Sequence, residues 1–187
     1  MIKFGQKLSS SDERNYFITS DLHFYHNNII KFCPETRPWK TAEEMNKGLI
    51  VHWNSVVGVN DVVFDVGDMF FCNKDNITEI LGQLNGHIVH IYGNHSKVLR
   101  NQFCSINAFD YLEFTYNSTL IVLNHYAQRV WNRSHYGSIH CFGHSHGSLE
   151  GIGRSMDVGW DAHGKILTLD EVVETLNSKE IYCEDGH

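Results

Sequence analysis

The chain has only two prolines in 187 residues and no Ser/Gly-rich linker. Nothing marks a domain boundary, so residues 1–187 read as a single domain. Internal repeats and low-complexity tracts are missing, which excludes solenoid and fibrous architectures. The apolar runs are strand-sized, far short of the ~20 residues that span a bilayer. The opening MIKFGQKLSS has no apolar h-region. Neither a membrane span nor a secretory leader is expected, and the expected location is cytoplasmic. Positive charge is scarce: 15 Lys+Arg face 22 Asp+Glu, for a net charge of −7. A general nucleic-acid binder carries a basic face, so extended nucleic-acid binding is not expected. The five cysteines, Cys33, Cys72, Cys104, Cys141 and Cys183, form no C-x-x-C pair and are odd in number. That argues against a disulfide framework or a thiolate zinc site and for reduced, mostly buried thiols.

Hydrophobic residues make up 42% of the chain, enough for a sizeable core, and histidines number 13. Five β-prone apolar runs each end in a polar cluster. NYFITS runs into Asp21-Leu22-His23, and DVVFDV into Gly67-Asp68. HIVHIY runs into Gly93-Asn94-His95, TLIVL into Asn124-His125, and SIHCF into Gly143-His144-Ser145-His146. Open α/β sheets bind ligands at the carboxyl ends of their strands, so this repeated order predicts one convergent site. The glycines before Asp68, Asn94 and His144 predict turns that need an unusual φ or a close backbone approach. Helices are expected at 41–57, opened by a Thr41-x-x-Glu44 capping box with Met45, Leu49, Trp53 and Val56 on one face. Others are expected at 76–84, capped by Asn76, and at 168–176. YLEFTYNSTLIVL predicts a hairpin turning near Asn117-Ser118. The class is mixed α/β.

Asp21, His23, Asp68, Asn94, His125, His144 and His146 combine carboxylate, imidazole and amide oxygen. That donor set suits Mn, Fe, Zn or Ni better than Mg or the soft, thiolate-seeking ions. It exceeds what one tetrahedral ion needs and suffices for two divalent ions. Asp-x-His, Gly-Asp, Gly-Asn-His, a later His and Gly-His-x-His occur in that order, and together they resemble the calcineurin-like metallophosphoesterase superfamily. SDLHFYHNNIIKFC, RPW, EEMN, WN, VGDMFF, GNH, HY and GHSHG resemble a small single-domain bacterial and phage subgroup of it, across most of the chain.

The resemblance implies a β-sandwich of two mixed sheets flanked by helices, a four-layer fold with metals at one edge. It implies Asp21, His23, Asp68 and His146 around one ion, and Asp68, Asn94, His125 and His144 around the other, with Asp68 bridging. His95 becomes the general acid. Two ions roughly 3.5–4 Å apart hold a hydroxide that attacks phosphorus. Two dications, two aspartates and a hydroxide leave about +1 on the core, so a phosphate ester is attracted despite the acidic chain.

The expected activity is hydrolysis of small phosphate esters, phosphodiesters such as cyclic nucleotides first. A phosphomonoesterase, a nuclease and a non-catalytic metal-dependent scaffold stand as alternatives. The metal, the natural substrate and the oligomeric state stay open. Asn94, His26 and Arg37 are candidate substrate contacts. Ser96 stands where many members of the superfamily have Asp or Glu, so either Asp110 or Asp157 supports His95 or the enzyme favours lower pH. His52, His87, His90, His135, His140, His163 and His187 read as non-ligands, Asp65 as a residue that orients a neighbour, and Trp131 as packed under a loop.

Overall fold

The apolar runs become strands whose side chains alternate between two buried faces. In the computed structural model, which describes residues 2–103 and 106–182, ten strands form two five-stranded sheets. Cys104, Cys183 and His187 lie outside the described residues. The first sheet is built from β2 (Tyr16–Thr19), β3 (Val62–Asp65), β4 (His87–Ile91) and β5 (Ala108–Phe109), all parallel, with β10 (Leu167–Thr168) antiparallel along β2. The second runs β1 (Lys7–Leu8), β6 (Leu112–Tyr116), β7 (Thr119–Leu123), β8 (Ile139–Phe142), β9 (Ser155–Asp157), and only its β6–β7 pair is antiparallel. Both sheets are therefore mixed. The β6–β7 hairpin turns at Asn117 (φ 46°) and Ser118 (φ 68°). Two positive φ values match the right-handed strand twist, and asparagine tolerates that region best among non-glycine residues.

The two-residue period sorts the core. Ile18, Val62, Phe64, Val89 and Ile91 of the first sheet pack against Leu112, Phe114, Ile121, Leu123, Ile139 and Cys141 of the second. Phe64 and Phe114 stack at 4.5 Å between ring centroids. The alternate residues Phe17 and Val63 face outward, in the cluster formed with α1 (Ile29–Phe32), α2 (Ala42–Val56), α3 (Lys74–Leu81) and α4 (Lys97–Gln102). Because both faces of these parallel strands are covered, their sequences read as continuous apolar runs. The helix α6 (Leu169–Asn177) inserts Leu169, Val172 and Leu176 into the inter-sheet core. Outside the second sheet, Val122, His140 and Phe142 point away from that core. There Trp131 lies 5.4 Å from the His140 ring and donates its indole N–H to Ser138 O. Among the described residues a loop, not a long helix, thus covers that face, and Trp131 packs beneath it as expected.

Three local details differ from the sequence reading. The helix expected from Asn76 begins three residues earlier, because Asn73 Oδ1 accepts the Asn76 N–H and so caps it first. Thr41 caps α2 by accepting from Glu44 N, but Glu44 reaches Lys40 N and leaves the capping box half made. Val56 is 41% exposed and Val57 takes its place in the core, since the chain leaves the helix at that point. The full capping box forms at Thr168 and Glu171. Cys141 is buried and Cys33 and Cys72 half-buried, all three free. No helix among the described residues is long and apolar enough to cross a membrane.

Phe64→Ala should cost about 3–5 kcal/mol in urea unfolding, while Val56→Ala should change stability by less than about 0.5 kcal/mol. His140 supplies a pH test. Its Nδ1 donates to Val122 O at 3.1 Å, its Nε2 accepts from Gln128 N at 3.2 Å, and burial pushes its imidazole down to about 4 from an ordinary 6.5. The unfolded chain takes up a proton that the folded chain refuses. This contribution is therefore complete above pH 6.5 and lost as pH falls toward about 4. About 3 kcal/mol is at stake. His140→Gln should flatten that part of the stability profile, as read by urea midpoints across the window.

Candidate metal centre

Strands β2, β3 and β4 of the first sheet and β7 and β8 of the second end at one edge, and each end delivers a group singled out above. After β2 come Asp21 and His23, after β3 Asp68, and after β4 Asn94 and His95. From the second sheet, β7 leads to His125 and β8 to His144 and His146. The edge is stitched together by backbone bonds: Asp21 N donates to Gly67 O, Trp160 N to Ser20 O, and Gly143 N to His125 O.

Crowding explains the glycines. A Cβ at Gly67 would fall 2.4 Å from His125 Nδ1, one at Gly93 2.2 Å from Asp68 Oδ1, and one at Gly143 2.0 Å from Ser20 Oγ. Only Gly67 also needs a positive φ, +113°. The left-handed conformations fall instead on the functional side chains. Asp21 (56°), His23 (51°), Asp68 (52°), His144 (66°) and His146 (48°) all have positive φ. Each costs roughly 1–2 kcal/mol relative to ordinary backbone, and such strain persists where the surroundings over-determine it, characteristically at functional sites.

The side chains form two clusters. In the first, Asp21 Oδ2 accepts from His144 N at 2.8 Å. Its Oδ1 has no hydrogen-bond partner, and neither do His23 Nδ1 and Nε2, although all three atoms are buried. His23 Nε2 lies 3.7 Å and His146 Nε2 4.0 Å from that orphaned oxygen. In the second cluster, Asn94 Oδ1 is 3.1 Å from His125 Nε2 and 3.0 Å from His144 Nδ1, and Asp68 Oδ2 is 3.2 Å from His125 Nε2. His125 Nδ1 donates to Val66 O at 2.9 Å. A neutral His125 therefore turns a lone pair toward two other acceptors, a contact that a proton on Nε2 or a bound cation would relieve. A proton supplies part of that relief: burial pushes His125 down, but Asp68 and Asp21 outweigh it and raise its pKa. Burial likewise pushes Asp68 up, and His125 with the His95 amide outweighs it and leaves the carboxyl below its ordinary range.

Donor atoms held 2.0–2.2 Å from one ion lie roughly 3–3.6 Å apart; the second cluster falls in that range, and the first, at 3.7 and 4.0 Å, is wider and would have to close on an ion. Asp21, His23 and His146 could hold one ion; Asp68, His125 and His144, with Asn94, another. Asp68 sits in the second cluster, with Oδ1 taken by the His95 amide at 2.8 Å. Cys33 also gathers with His146 and Asp161. Its thiol is pushed up to about 11 by burial, and the Arg37 guanidinium beside it opposes a cation.

Asn94, His95 and His144 open the site to solvent. His95 lies 5.6 Å from the His23 ring and 5.1 Å from Phe71. His26 packs against His23 at 5.3 Å and Phe71 at 4.1 Å. Burial, then His23, pushes His26 down to about 4. Its Nδ1 accepts from Ile29 N, which places the ring proton on Nε2. Phe71 (44% exposed) and Tyr126 (47%) form the rim, Tyr126 lying 4.8 Å from His144.

Arg37 corrects the sequence reading. It is 1% exposed and cannot meet a substrate. Its N–H groups go to both Asp161 oxygens, Asp21 O, Leu22 O and Met45 Sδ. Neither acid suggested for His95 reaches it. Asp110 pairs with Arg100 at the surface. Asp157 instead pins the histidine turn, accepting from Ser145 Oγ, Gly147 N and Gly159 N. Ser96 Oγ accepts from Gly93 N and closes the turn. Asp65 orients a neighbour as expected, 2.9 Å from His90 Nδ1. Sequence reasoning missed Asp161, which accepts from His146 Nδ1 at 2.7 Å; only its place in GWDAHG, shortly after a strand end, could have signalled it.

No family model matches the chain. Over 86 residues it is 46% identical to an uncharacterized protein of Methanocaldococcus jannaschii, a match covering 45% of this chain and 48%, about half, of that protein's length. It is 25% identical over 208 residues to the Gene 66 protein of Mycobacterium phage L5, covering 92% of this chain and 98% of the phage protein. The crystal structure of a protein of unknown function from Aquifex aeolicus superposes with a TM-score of 0.69 at 21% identity, over 87% of this chain and 100% of that one. That likeness establishes a shared fold.

Metal-stripped protein should take up Mn or Zn and melt roughly 5–10 °C higher at saturating ion. His23→Ala should remove much of that rise in a thermal scan, because it deletes the ring whose two nitrogens lack partners.

Proposed function

We propose that the chain is a dinuclear metal-dependent phosphoesterase, of the calcineurin-like type its motifs resemble. Its substrates are small phosphate esters, with phosphodiesters such as cyclic nucleotides first. The observation that carries this is the buried Asp21 Oδ1 and the two His23 nitrogens, left without partners beside a second knot of converging acceptors. A folded chain avoids leaving such groups unmet, at about 1–3 kcal/mol each, unless something else satisfies them. The same resemblance supports the finer fold assignment, a metallophosphoesterase-like sandwich; the loop over the second sheet departs from the four helix-flanked layers that the resemblance implies.

Asp21, His23, Asp68 and His146 would hold one ion of Mn, Fe, Zn or Ni, and Asp68, Asn94, His125 and His144 the other. When bound, the pair supplies Lewis acidity to the phosphate oxygens and lowers the pKa of a water.

The chain's own groups do the rest. His95 rides on the turn after β4, its amide tied to Asp68 Oδ1 and its ring exposed at the mouth. From there it donates a proton to the departing alkoxide, a role worth ~10²–10⁴-fold in rate. His26, neutral and protonated on Nε2, offers a hydrogen bond to a phosphate oxygen without adding charge. Asn94 orients the ester at the open side. The exposed rings of Phe71 and Tyr126 give its organic moiety a surface to rest on.

The test is turnover by metal-reconstituted protein across monoesters, linear diesters and cyclic nucleotides. His95→Ala should keep its metal and lose ~10²–10⁴-fold on alkyl or nucleoside esters. It should lose far less on nitrophenyl esters, whose leaving group needs no proton. Equal losses on both kinds would remove the acid role, and a loaded wild-type protein that cleaves no ester would overturn the proposal.

A further inference from the structure

Asp161 is a buried carboxylate that the proposed chemistry does not use. Its side chain is 2% exposed and lies at the first turn of α5 (Trp160–His163). Four donors converge on it. Thr36 Oγ1 and Arg37 Nε reach Oδ1 at 2.6 and 2.8 Å, while Arg37 Nη2 and His146 Nδ1 reach Oδ2 at 2.9 and 2.7 Å. The next residue back, Trp160, is anchored through its indole to Thr36 O and through its amide to Ser20 O. The carboxylate is therefore fixed from several sides.

His146 is not. It sits at φ 48° just before Gly147, and its side chain is 25% exposed. Its polar contacts are the one to Asp161 and the 4.0 Å approach of Nε2 to Asp21 Oδ1. An acceptor-only carboxylate on Nδ1 requires the proton there and leaves the Nε2 lone pair facing Asp21. Arg37 completes the brace: one guanidinium grips Asp161 through two nitrogens and also holds the carbonyls of Asp21 and Leu22. The second cluster has its own support, the Val66 carbonyl on His125.

We infer that Asp161, locked by Arg37, is a positioning residue for His146 and governs the ion site of Asp21, His23 and His146 without governing the other. This rests on the metal-centre reading above. A carboxylate behind a ligating imidazole fixes ring and tautomer, and its loss typically weakens metal affinity by about 10–100-fold. The separate supports make the effect one-sided, since Asp68, which both sites would share, is held by the His95 amide and not by Asp161.

The experiment is calorimetric titration of Mn into metal-stripped wild-type and Asp161→Asn proteins. In the variant one binding event should weaken by about 10–100-fold and the other should not move. A merely structural role would weaken both together or neither, and either result overturns the inference. Should Asp161→Asn fail to fold, the wild-type protein still decides. Nitrogen NMR of its metal-free form at alkaline pH, where the ring is neutral, should show His146 protonated on Nδ1. A proton on Nε2 would overturn the assignment. A wild-type chain that takes up no metal removes the parent reading and this one with it; normal uptake with an unaltered variant removes this one alone.

Discussion

Lone pairs that face one another across a buried gap must share a cation or be pushed apart. That constraint organises the edge of this molecule. Asp21 Oδ1 and both His23 nitrogens are buried without a hydrogen-bond partner, and Asp68 and Asn94 aim acceptors at His125 Nε2. Left unsatisfied, such groups would open the structure to water. Backbone amides restrain them: His144 N holds the other oxygen of Asp21, and His95 N the other oxygen of Asp68. Each aspartate is thus half spent on architecture and half available.

The surroundings absorb considerable local strain to keep this arrangement. The left-handed residues at the site adopt a conformation that side chains normally avoid, and the glycines beside them make room for neighbours. A two-sided core beneath the strand ends supplies the rigidity. The Phe64–Phe114 stack lies between the sheets, and α2 with α3 backs the first sheet from outside. Packing stability there permits unfavourable backbone at the rim.

Much of this was legible in the chain because it is written locally. A strand followed by a polar cluster is a pattern of a few consecutive residues, and the seven expected ligands meet where such strand ends converge. The Thr168 cap and the Asn117-Ser118 turn are equally local. The failures are of two kinds. Where two neighbouring residues could both act, as with Asn73 and Asn76 or Val56 and Val57, the winner depends on how the chain leaves the element. Where a partner is distant, no pattern exists at all. The RPW motif and the fit of arginine to phosphate made Arg37 a candidate substrate contact, and nothing near it announces its actual partner, Asp161, 124 positions away. Asp157 and Asp110 were plausible companions for His95 by charge alone, and only their true partners, the histidine turn and Arg100, exclude them.

Both clusters straddle the seam of the sandwich. Asp21 and His23 come from one sheet and His146 from the other; Asp68 and Asn94 come from the first, His125 and His144 from the second. Neither sheet alone offers a complete cage. A cation lodged here would act as a late clasp, closing only after the halves have docked. It would prolong the lifetime of the assembled state by slowing its rupture, and would leave the speed of assembly nearly untouched.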